Sequence, residues 1–473
     1  MTSPPRRVWL QTMKSTVDNA FSYLSAGANG DPAPTPGIVL IVDSGQASAR
    51  ALGIPRNGLL LGRGTPCDCF VDDDWISRVH LHVRRVAGCW VFEDPGSRNG
   101  SRLNGDALQG TQTLEGPVVI RMGRSLCWAL DDASAHLRAA MANQEHQRPQ
   151  TDNGPVLGGA MRTIWQEIEV AAKSSDTLLI GGPSGAGKEL AAQAYHHASY
   201  GATTTRPFVA VNCATIPTGL AERLLFGATR GAYSGANADT EGFIQAANGG
   251  TLFLDELAEL EPQVQAKLLR VLETREVIPL GASRAQPVKL RICGATLRDL
   301  RSQVAQGRFR EDLYYRLGRP QVILPSLRER LDEMPLLAQR TLAQIDPRLS
   351  WTTGLIETCA VRPWPGNVRE FIGEIHRAGY AALNAGETRV ESTFLARDAG
   401  VAIESATSAA PAAGTGPVRK SAPKPDDDQI RAALAREQGN VSRAARALGM
   451  HRNQLRRWLD RQQASASDYK TDD

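Results

Sequence analysis

The run Gly182-Pro-Ser-Gly-Ala-Gly-Lys188 has the residue types and spacing of a phosphate-binding loop, and the apolar stretch Thr177-Leu-Leu-Ile-Gly181 predicts a strand leading into it. Gly182, Gly185 and Gly187 let backbone amides turn inward around phosphate, and a helix beginning behind them adds its positive dipole. Pro183, Ser184 and Ala186 complete the loop, and Lys188 is placed to reach the terminal phosphates. Glu189 stands where a magnesium-touching Ser or Thr is usual, a departure from the pattern when the loop is taken alone. A second apolar strand, Gly250-Thr-Leu-Phe-Leu-Asp-Glu256, ends in paired carboxylates. Asp255 can hold the water shell of Mg²⁺ and Glu256 can polarise an attacking water, as neutralisation of charge in phosphoryl transfer requires. Two acids can also simply cap a strand before a helix at 261–273; a phosphate loop upstream favours hydrolysis.

Between these two halves lies Gly227-Ala-Thr-Arg-Gly-Ala-Tyr-Ser-Gly-Ala236. In isolation it is a glycine-rich turn. Inserted in a hydrolysis site, it is placed to report nucleotide state to another macromolecule.

Two further groups of residues lie outside this region. Gly62-Arg63, Ser77-Arg-Val-His80, Ser97-Arg-Asn-Gly100 and Asn104-Gly105 punctuate a run of short apolar segments near the N-terminus. Cys67-Asp-Cys69 and His80-Leu-His82 would each put two ligands on one strand face, but nothing in the sequence brings the two pairs together and a structural zinc site needs about four converging ligands, so free thiols and structural histidines are expected. Asp72-Asp-Asp74 is expected to be a solvated turn. Near the C-terminus, residues 430–461 carry eight Arg against Glu437 and Asp460, a local balance of +6 that suits a phosphate backbone or a solvated helical face.

The elements that must position these residues follow from pattern. A chain of 473 residues with net charge +4 should form about three domains. Residues 1–36 hold one possible amphipathic helix around Val8 to Leu24. Residues 37–130 look all-β, with strands at Gly37–Val42, Gly58–Leu61, His80–Val83 and Cys89–Phe92 separated by Gly, Asp and Pro turns. Residues 131–155 are expected to be a linker or short connecting helix. From 156 to 396 strand runs alternate with helical patterns and finish in a helical block, as in an α/β nucleotide-binding domain. Residues 397–429 form an Ala, Pro, Ser, Thr and Gly-rich linker, and 462–473 a tail. Between them, Gly439-Asn-Val-Ser442 and Gly449 break residues 430–461 into three helices with helix-turn-helix spacing. Arg452, Asn453 and Arg456 are base-facing candidates beside His451, whereas Arg443, Arg446 and Arg457 suit phosphate. Seven cysteines without framework spacing, and apolar stretches short of the roughly 18–20 residues that span a bilayer, predict a reduced cytoplasmic protein without membrane partners.

These motifs together resemble the sigma-54-dependent transcription activators. Residues 156–396 resemble their AAA+ domain almost continuously, through Phe208-Val-Ala-Val-Asn-Cys213, Phe309-Arg-Glu-Asp-Leu-Tyr-Tyr-Arg316, Pro325-Ser-Leu-Arg-Glu-Arg330 and Trp364-Pro-Gly-Asn-Val-Arg-Glu370. The family also carries Glu after the loop lysine, which reconciles Glu189 with ATPase activity. Residues 37–130 resemble a forkhead-associated (FHA) domain, and residues 430–461 a Fis-like DNA-binding end. The fold class implied is a β-sandwich FHA domain, an α/β AAA+ ATPase with a helical lid, and an all-α helix-turn-helix.

The resemblance implies ATP and Mg²⁺ as cofactors and a homo-oligomeric ring of six. It implies three further partners: sigma-54 RNA polymerase, upstream promoter DNA and a phosphothreonine-containing protein. It assigns Asn212 to restrain Glu256, Arg310 and Arg316 to reach a neighbouring subunit's site, and Arg369 to sense nucleotide from the lid. Gly231, Ala232, Tyr233, Ser234, Gly235 and Ala236 become the sigma-54 contact, with Tyr233 and Ser234 replacing the usual Phe and Thr. Arg63, Ser77, Arg78 and Asn99 become the phosphopeptide ligands. One strand departs from the family: Arg291-Ile-Cys-Gly-Ala-Thr-Leu297 ends in Leu where Asn is usual, leaving Thr296 to carry part of the sensor function. Leu297 keeps open a non-hydrolysing DNA-binding regulator, and the FHA module a phosphopeptide-dependent AAA+ scaffold.

Overall fold

A computed structural model describes residues 34–142, 154–234, 236–402, 427–436 and 444. The expected helix at Val8–Leu24, Gly235 of the inserted loop, and Arg443, Arg446, His451, Arg452, Asn453, Arg456 and Arg457 lie outside the described residues. The chain divides into two units, Met1–Ile403 and Glu404–Asp473. In the second, the helix Asp427–Arg436 buries Ile430, Ala433 and Leu434, the i, i+3, i+4 stripe of an amphipathic helix.

The first unit begins with a two-sheet sandwich. One sheet has the strand order Gln46–Gly53, Gly37–Asp43, Ser125–Leu130, Val118–Met122, Ser101–Leu103 and Asp106–Ala107. The other runs Cys69–Phe70, Leu59–Gly62, Leu81–Val86, Cys89–Glu93 and Thr111–Leu114. Gly37–Asp43 reads GIVLIVD without alternation because both its faces are covered. Ile38 and Leu40 enter the core between the sheets, with Leu61, Trp90 and Phe92. Val39 and Ile41 point the other way, into a second core with Leu126 and Trp128. The residues that cover this outer face, among them Leu331, Met334, Leu337 and Ala338, come from far along the chain.

Ser134–Ala142, within the stretch read as a linker, forms a helix; its Leu137 joins the same second core. Beyond it, a five-stranded sheet has the order Phe208–Asn212, Thr251–Asp255, Arg291–Thr296, Thr177–Gly181 and Gln321–Ile323, all parallel. Helices Gly159–Ser174, Lys188–Tyr200 and Pro262–Thr274 flank it. Three helices, Met334–Ile345, Thr353–Ala360 and Asn367–Asn384, make the helical block that follows. This block packs on the sandwich through the second core, and polar ties border it. Arg121 Nη1 donates to Glu357 Oε2 at 2.7 Å, and Thr353 Oγ1 to the Arg124 carbonyl at 2.9 Å.

Candidate functional site

Parallel pairing puts the C-terminal ends of the central strands along one edge, which is where a ligand crevice forms in such sheets. Gly181 pairs with Thr296, and Asn212 with Asp255. The phosphate loop at 182–188, the carboxylate pair at 255–256 and the strand ending at Thr296 therefore converge although they lie far apart in sequence.

Gly182, Gly185 and Gly187 have φ of 143°, 72° and 103°, values that turn the loop amides inward and that L side chains rarely adopt. A Cβ on Gly185 would lie 2.2 Å from the Gly366 carbonyl, so the lid approaches the loop only because this position is glycine. Ser184 accepts on its carbonyl from Asn367 Nδ2 at 2.9 Å, and Ala186 on its carbonyl from Arg330 Nη2 at 2.6 Å.

Lys188 begins its helix almost fully buried, with Nζ donating to the Gly182 carbonyl at 3.2 Å and lying 3.6 Å from Glu256 Oε1. Glu256 has φ of 51°, a left-handed backbone that costs energy outside glycine and recurs at functional positions. Its amide donates to Asp255 Oδ1 at 3.0 Å, and its Oε2 accepts from the Leu297 amide at 3.3 Å. The Leu297 side chain is 54% exposed, so the backbone at this position, and not the side chain, meets the carboxylate. Thr296 Oγ1 is turned into the following bend, exchanging hydrogen bonds with Arg298. Asn212 Oδ1 caps the next turn by accepting from the Ala214 amide at 3.0 Å; among the described residues Lys188 and the Leu297 amide hold Glu256.

Burial pushes the Cys213 thiol up to about 12, and the charges of Asp255 and Glu256 add to it. Lys188 is the buried cation facing Glu256, and Asp255 with the inward-turned amides is a donor set that fits hydrated Mg²⁺ and phosphate. Among the described residues no three His, Cys, Asp or Glu side chains gather as metal ligands, and no helix is long and apolar enough to cross a membrane. Glu189 is exposed in the first turn behind the loop.

The arginines fall into two groups. Arg369 is exposed on the first turn of Asn367–Asn384, and its Cβ is 3.2 Å from where a Gly185 Cβ would lie, so it faces the loop. Arg310 caps the start of the helix Glu311–Leu317 and Arg316 lies in its last turn; both are exposed, as is Tyr315 at 72%. Arg310 is paired with Asp312 at 2.7 Å, and Arg316 Nη2 donates to the Leu272 carbonyl at 3.2 Å.

The inserted loop is closed at its base by Ala228 pairing with Thr240 and by Gly227 and Thr229 bonding to Leu280, and Ala232 lies against Gly281. Arg223 Nη1 donates to Tyr233 Oη at 2.8 Å with its guanidinium over the ring. Gly231, Tyr233 and Ser234 are exposed, Ala232 is half-buried and Ala236 is buried.

At one end of the sandwich Arg63, Ser77, Arg78 and Asn99 come together on neighbouring loops. The Arg63 and Gly64 amides donate to the Ser77 and Arg78 carbonyls. His80 Nδ1 accepts from the Ser77 amide and its Nε2 faces the Gly100 carbonyl, while burial holds its pKa below the usual value, so a neutral ring ties the loops. The Asp72–Asp74 turn differs from the solvated turn expected. Asp73 is fully buried and accepts from the Trp75 and Arg124 amides, and Asp74 pairs with Arg63 at 2.8 Å. Cys67 Sγ lies 3.0 Å from the Arg78 carbonyl, Cys69 takes a bond from Arg50, and His82 Nε2 faces the Asn57 carbonyl.

Sequence reasoning singled out neither Asn367 nor Arg330 for a role, although both sit in motifs it quoted. The only advance signal was their presence in those motifs, since nothing local says that either side chain reaches across to the phosphate loop.

Residues 157–322 match the Sigma-54 interaction domain, residues 59–123 the FHA domain, and residues 426–461 the bacterial regulatory proteins of the Fis family. The chain is 37% identical over 351 residues to the transcriptional regulatory protein GlrR of Escherichia coli (strain K12), covering 73% of this chain and 75% of that one. It is 41% identical over 301 residues to the Nif-specific regulatory protein of Azotobacter vinelandii, covering 62% and 56%. Among solved structures, NtrX from Brucella abortus in complex with ATP is 29% identical over 70% of this chain and 74% of that one, with a TM-score of 0.46.

Proposed function

The chain belongs to the sigma-54-dependent transcription activators and is an ATPase, and from that premise we propose that it hydrolyses ATP between neighbouring copies to remodel the closed complex of sigma-54 polymerase at a promoter, under control of a phosphothreonine-bearing protein. The observation that carries this reading is the meeting of Lys188, Asp255 and Glu256 at one sheet edge, in the domain that also presents the Tyr233 loop.

In this mechanism the loop amides and Lys188 hold the phosphates of ATP, and Asp255 would hold Mg²⁺, which would supply charge neutralisation. Glu256 orients the attacking water once ATP draws Lys188 away from it. Arg310 and Arg316, both exposed, reach the neighbouring copy's nucleotide, so turnover depends on assembly in a ring, expected to be hexameric. Arg369 and Asn367 carry nucleotide state into the lid. The Gly231–Ala236 loop leaves the Leu280–Gly281 turn during turnover and engages sigma-54. The Fis-like end, through Arg443, Arg446, His451, Arg452, Asn453, Arg456 and Arg457, binds DNA upstream and concentrates the protomers. At the sandwich end, Arg63, Arg78 and Ser77 bind the phosphate of phosphothreonine and Asn99 the peptide backbone.

The test is transcription in vitro with sigma-54 polymerase, ATP and a promoter recovered by binding selection. The wild-type chain opens the promoter, Glu256→Gln binds ATP without opening it, and a Tyr233→Ala/Ser234→Ala variant hydrolyses ATP without opening it. Undiminished opening by either variant would refute the mechanism.

A further inference from the structure

We propose that Asn367 is a positioning residue for the phosphates of the nucleotide: from the start of the lid helix it fixes one peptide plane of the phosphate loop, so that the Gly185 amide is aimed at the ligand. The inference rests on the reading of residues 182–188 as the phosphate site. It goes beyond that reading by making the loop's shape depend on a side chain 183 residues along the chain from Ser184.

Asn367 is buried, and both ends of its side-chain amide are engaged. Nδ2 donates to the Ser184 carbonyl at 2.9 Å and to the Pro365 carbonyl at 3.3 Å, while Oδ1 accepts from the Leu327 amide at 2.9 Å. The partners fix which end is which, since a carbonyl can meet only the nitrogen and an N–H only the oxygen. The backbone of Asn367 has φ of 53°, a left-handed conformation that asparagine tolerates better than most residues with a side chain. Ahead of it, the Trp364 indole is fully buried and donates to the Cys359 carbonyl at 2.7 Å, which pins the turn. The side chain is therefore a fixed bridge from the lid to the loop.

A peptide unit is planar and trans, so its carbonyl and the following N–H point to opposite sides. With the Ser184 carbonyl held by Asn367, the Gly185 N–H is turned away from it. Among the described residues that N–H donates to no protein acceptor, which leaves it for a phosphate oxygen. Arg330 repeats the arrangement at the Ala186 carbonyl, and the Gly187 N–H is likewise free of a protein acceptor among the described residues. Amides aimed in advance need no reorganisation when negative charge arrives. A residue that only braced the lid would not alter how the loop discriminates between ligands that differ in their phosphates.

Displacement of a fluorescent ATP analogue from the full-length chain by ADP and by AMP reads that discrimination, because AMP lacks the β-phosphate that such a loop cradles. Asn367→Asp keeps the size, the backbone tolerance and an oxygen for the Leu327 amide, but sets a second oxygen against the Ser184 carbonyl. Asn367→Gly keeps the left-handed backbone and removes the donor. The wild type is expected to prefer ADP. Each variant should bind ADP about tenfold more weakly, the scale of one hydrogen bond to a charged group. Each should bind AMP as the wild type does, which also certifies its fold. In phosphate-release assays KM for ATP should rise while kcat stays near the wild-type value, the pattern of a contact made equally in the ground and transition states. An unchanged ADP-to-AMP ratio in either variant, whether neither ligand or both are weakened, makes Asn367 a brace for the lid and overturns the inference, leaving the phosphate site standing. Equal binding of ADP and AMP by the wild type overturns both.

Discussion

Arg330 Nη2 donates to the Ala186 carbonyl at 2.6 Å, so a buried guanidinium just ahead of the lid is part of the phosphate loop's support. The same side chain faces Glu333 Oε2 at 3.3 Å, and Glu333 Oε1 accepts from the Gly158 amide at 2.9 Å. Next to it, Asp332 Oδ2 accepts from the Gly159 amide at 2.7 Å and lies 3.4 Å from His136 Nε2. A short polar chain therefore runs from the helix that leaves the sandwich to the loop proposed to hold nucleotide. Removing Arg330 leaves the buried Glu333 carboxyl and the Ala186 carbonyl without their donor, a change that costs roughly 1–3 kcal/mol. Arg330→Met should lower stability by that order in denaturant titration and weaken binding of a fluorescent ATP analogue. Arg330→Lys should not rescue either property, because a point charge cannot reach both partners. Wild-type stability in Arg330→Met would contradict this account.

Burial pushes the Glu333 carboxyl up to about 7, with the Asp332 charge adding to the rise and Arg330 opposing it. A carboxyl that holds its proton more tightly when folded contributes stability that is complete below its unfolded pKa, near 4.5. That contribution declines as pH rises and is gone above about 7. Asp332 moves the other way, held below its usual value with His136 as its nearest opposing charge, and its contribution is lost only in strong acid. Denaturation midpoints between pH 5 and pH 8 should therefore fall with rising pH in the wild type and fall less in Glu333→Gln. Parallel profiles would rule out Glu333 as the source.

The Leu297 amide reaches Glu256 where the family usually offers an Asn side chain. Leu297→Asn adds a side-chain donor and acceptor beside the attacking water without removing that amide. We expect kcat for phosphate release to rise several-fold with KM little changed, the pattern of an interaction made only in the transition state. An equal or lower kcat would mean that the backbone contact already suffices.

Tyr233 is tethered by Arg223 through its hydroxyl and its ring face. Arg223→Ala should loosen the loop tip and raise sigma-54 binding in the absence of nucleotide by a few-fold, since exposed cation–π and hydrogen-bond contacts are each worth on the order of 1 kcal/mol. Pull-down with and without a transition-state nucleotide analogue measures it, and the gap between the two conditions should narrow.

Asp74 occupies Arg63, the guanidinium proposed for phosphate. The pair is exposed, so it is worth at most about 1 kcal/mol. Asp74→Asn should strengthen phosphothreonine-peptide binding up to about fivefold at low salt and less at high salt, as calorimetric titration would record.

Much of the site was legible in the sequence because its parts are local. The glycine spacing before Lys188, the strand ending in Asp255 and Glu256, and the turns around Arg63, Ser77 and Asn99 each encode their conformation within a few residues. What could not be read was contact at a distance. Gly37–Val42 was legible as a strand, but not that both its faces would be covered, the outer one from the side of Met334 and Leu337. Asp73 reads as one of three solvated acids, and only the fold shows Arg124 and Trp75 closing over it. Asn212 was expected on Glu256, yet its own i+2 amide competes successfully for the side chain.

The apolar cluster in which Val39, Ile41 and Trp128 meet Met334, Leu337 and Ile356 makes the N-terminal module a structural member of the motor and not a detachable antenna. Cutting the chain after the sandwich would leave an oily wall on the lid and invite clumping. Swapping in a foreign sensor would require a replacement whose outer sheet is equally greasy. A signal arriving at the sandwich thus acts on a joint that cannot be opened for free.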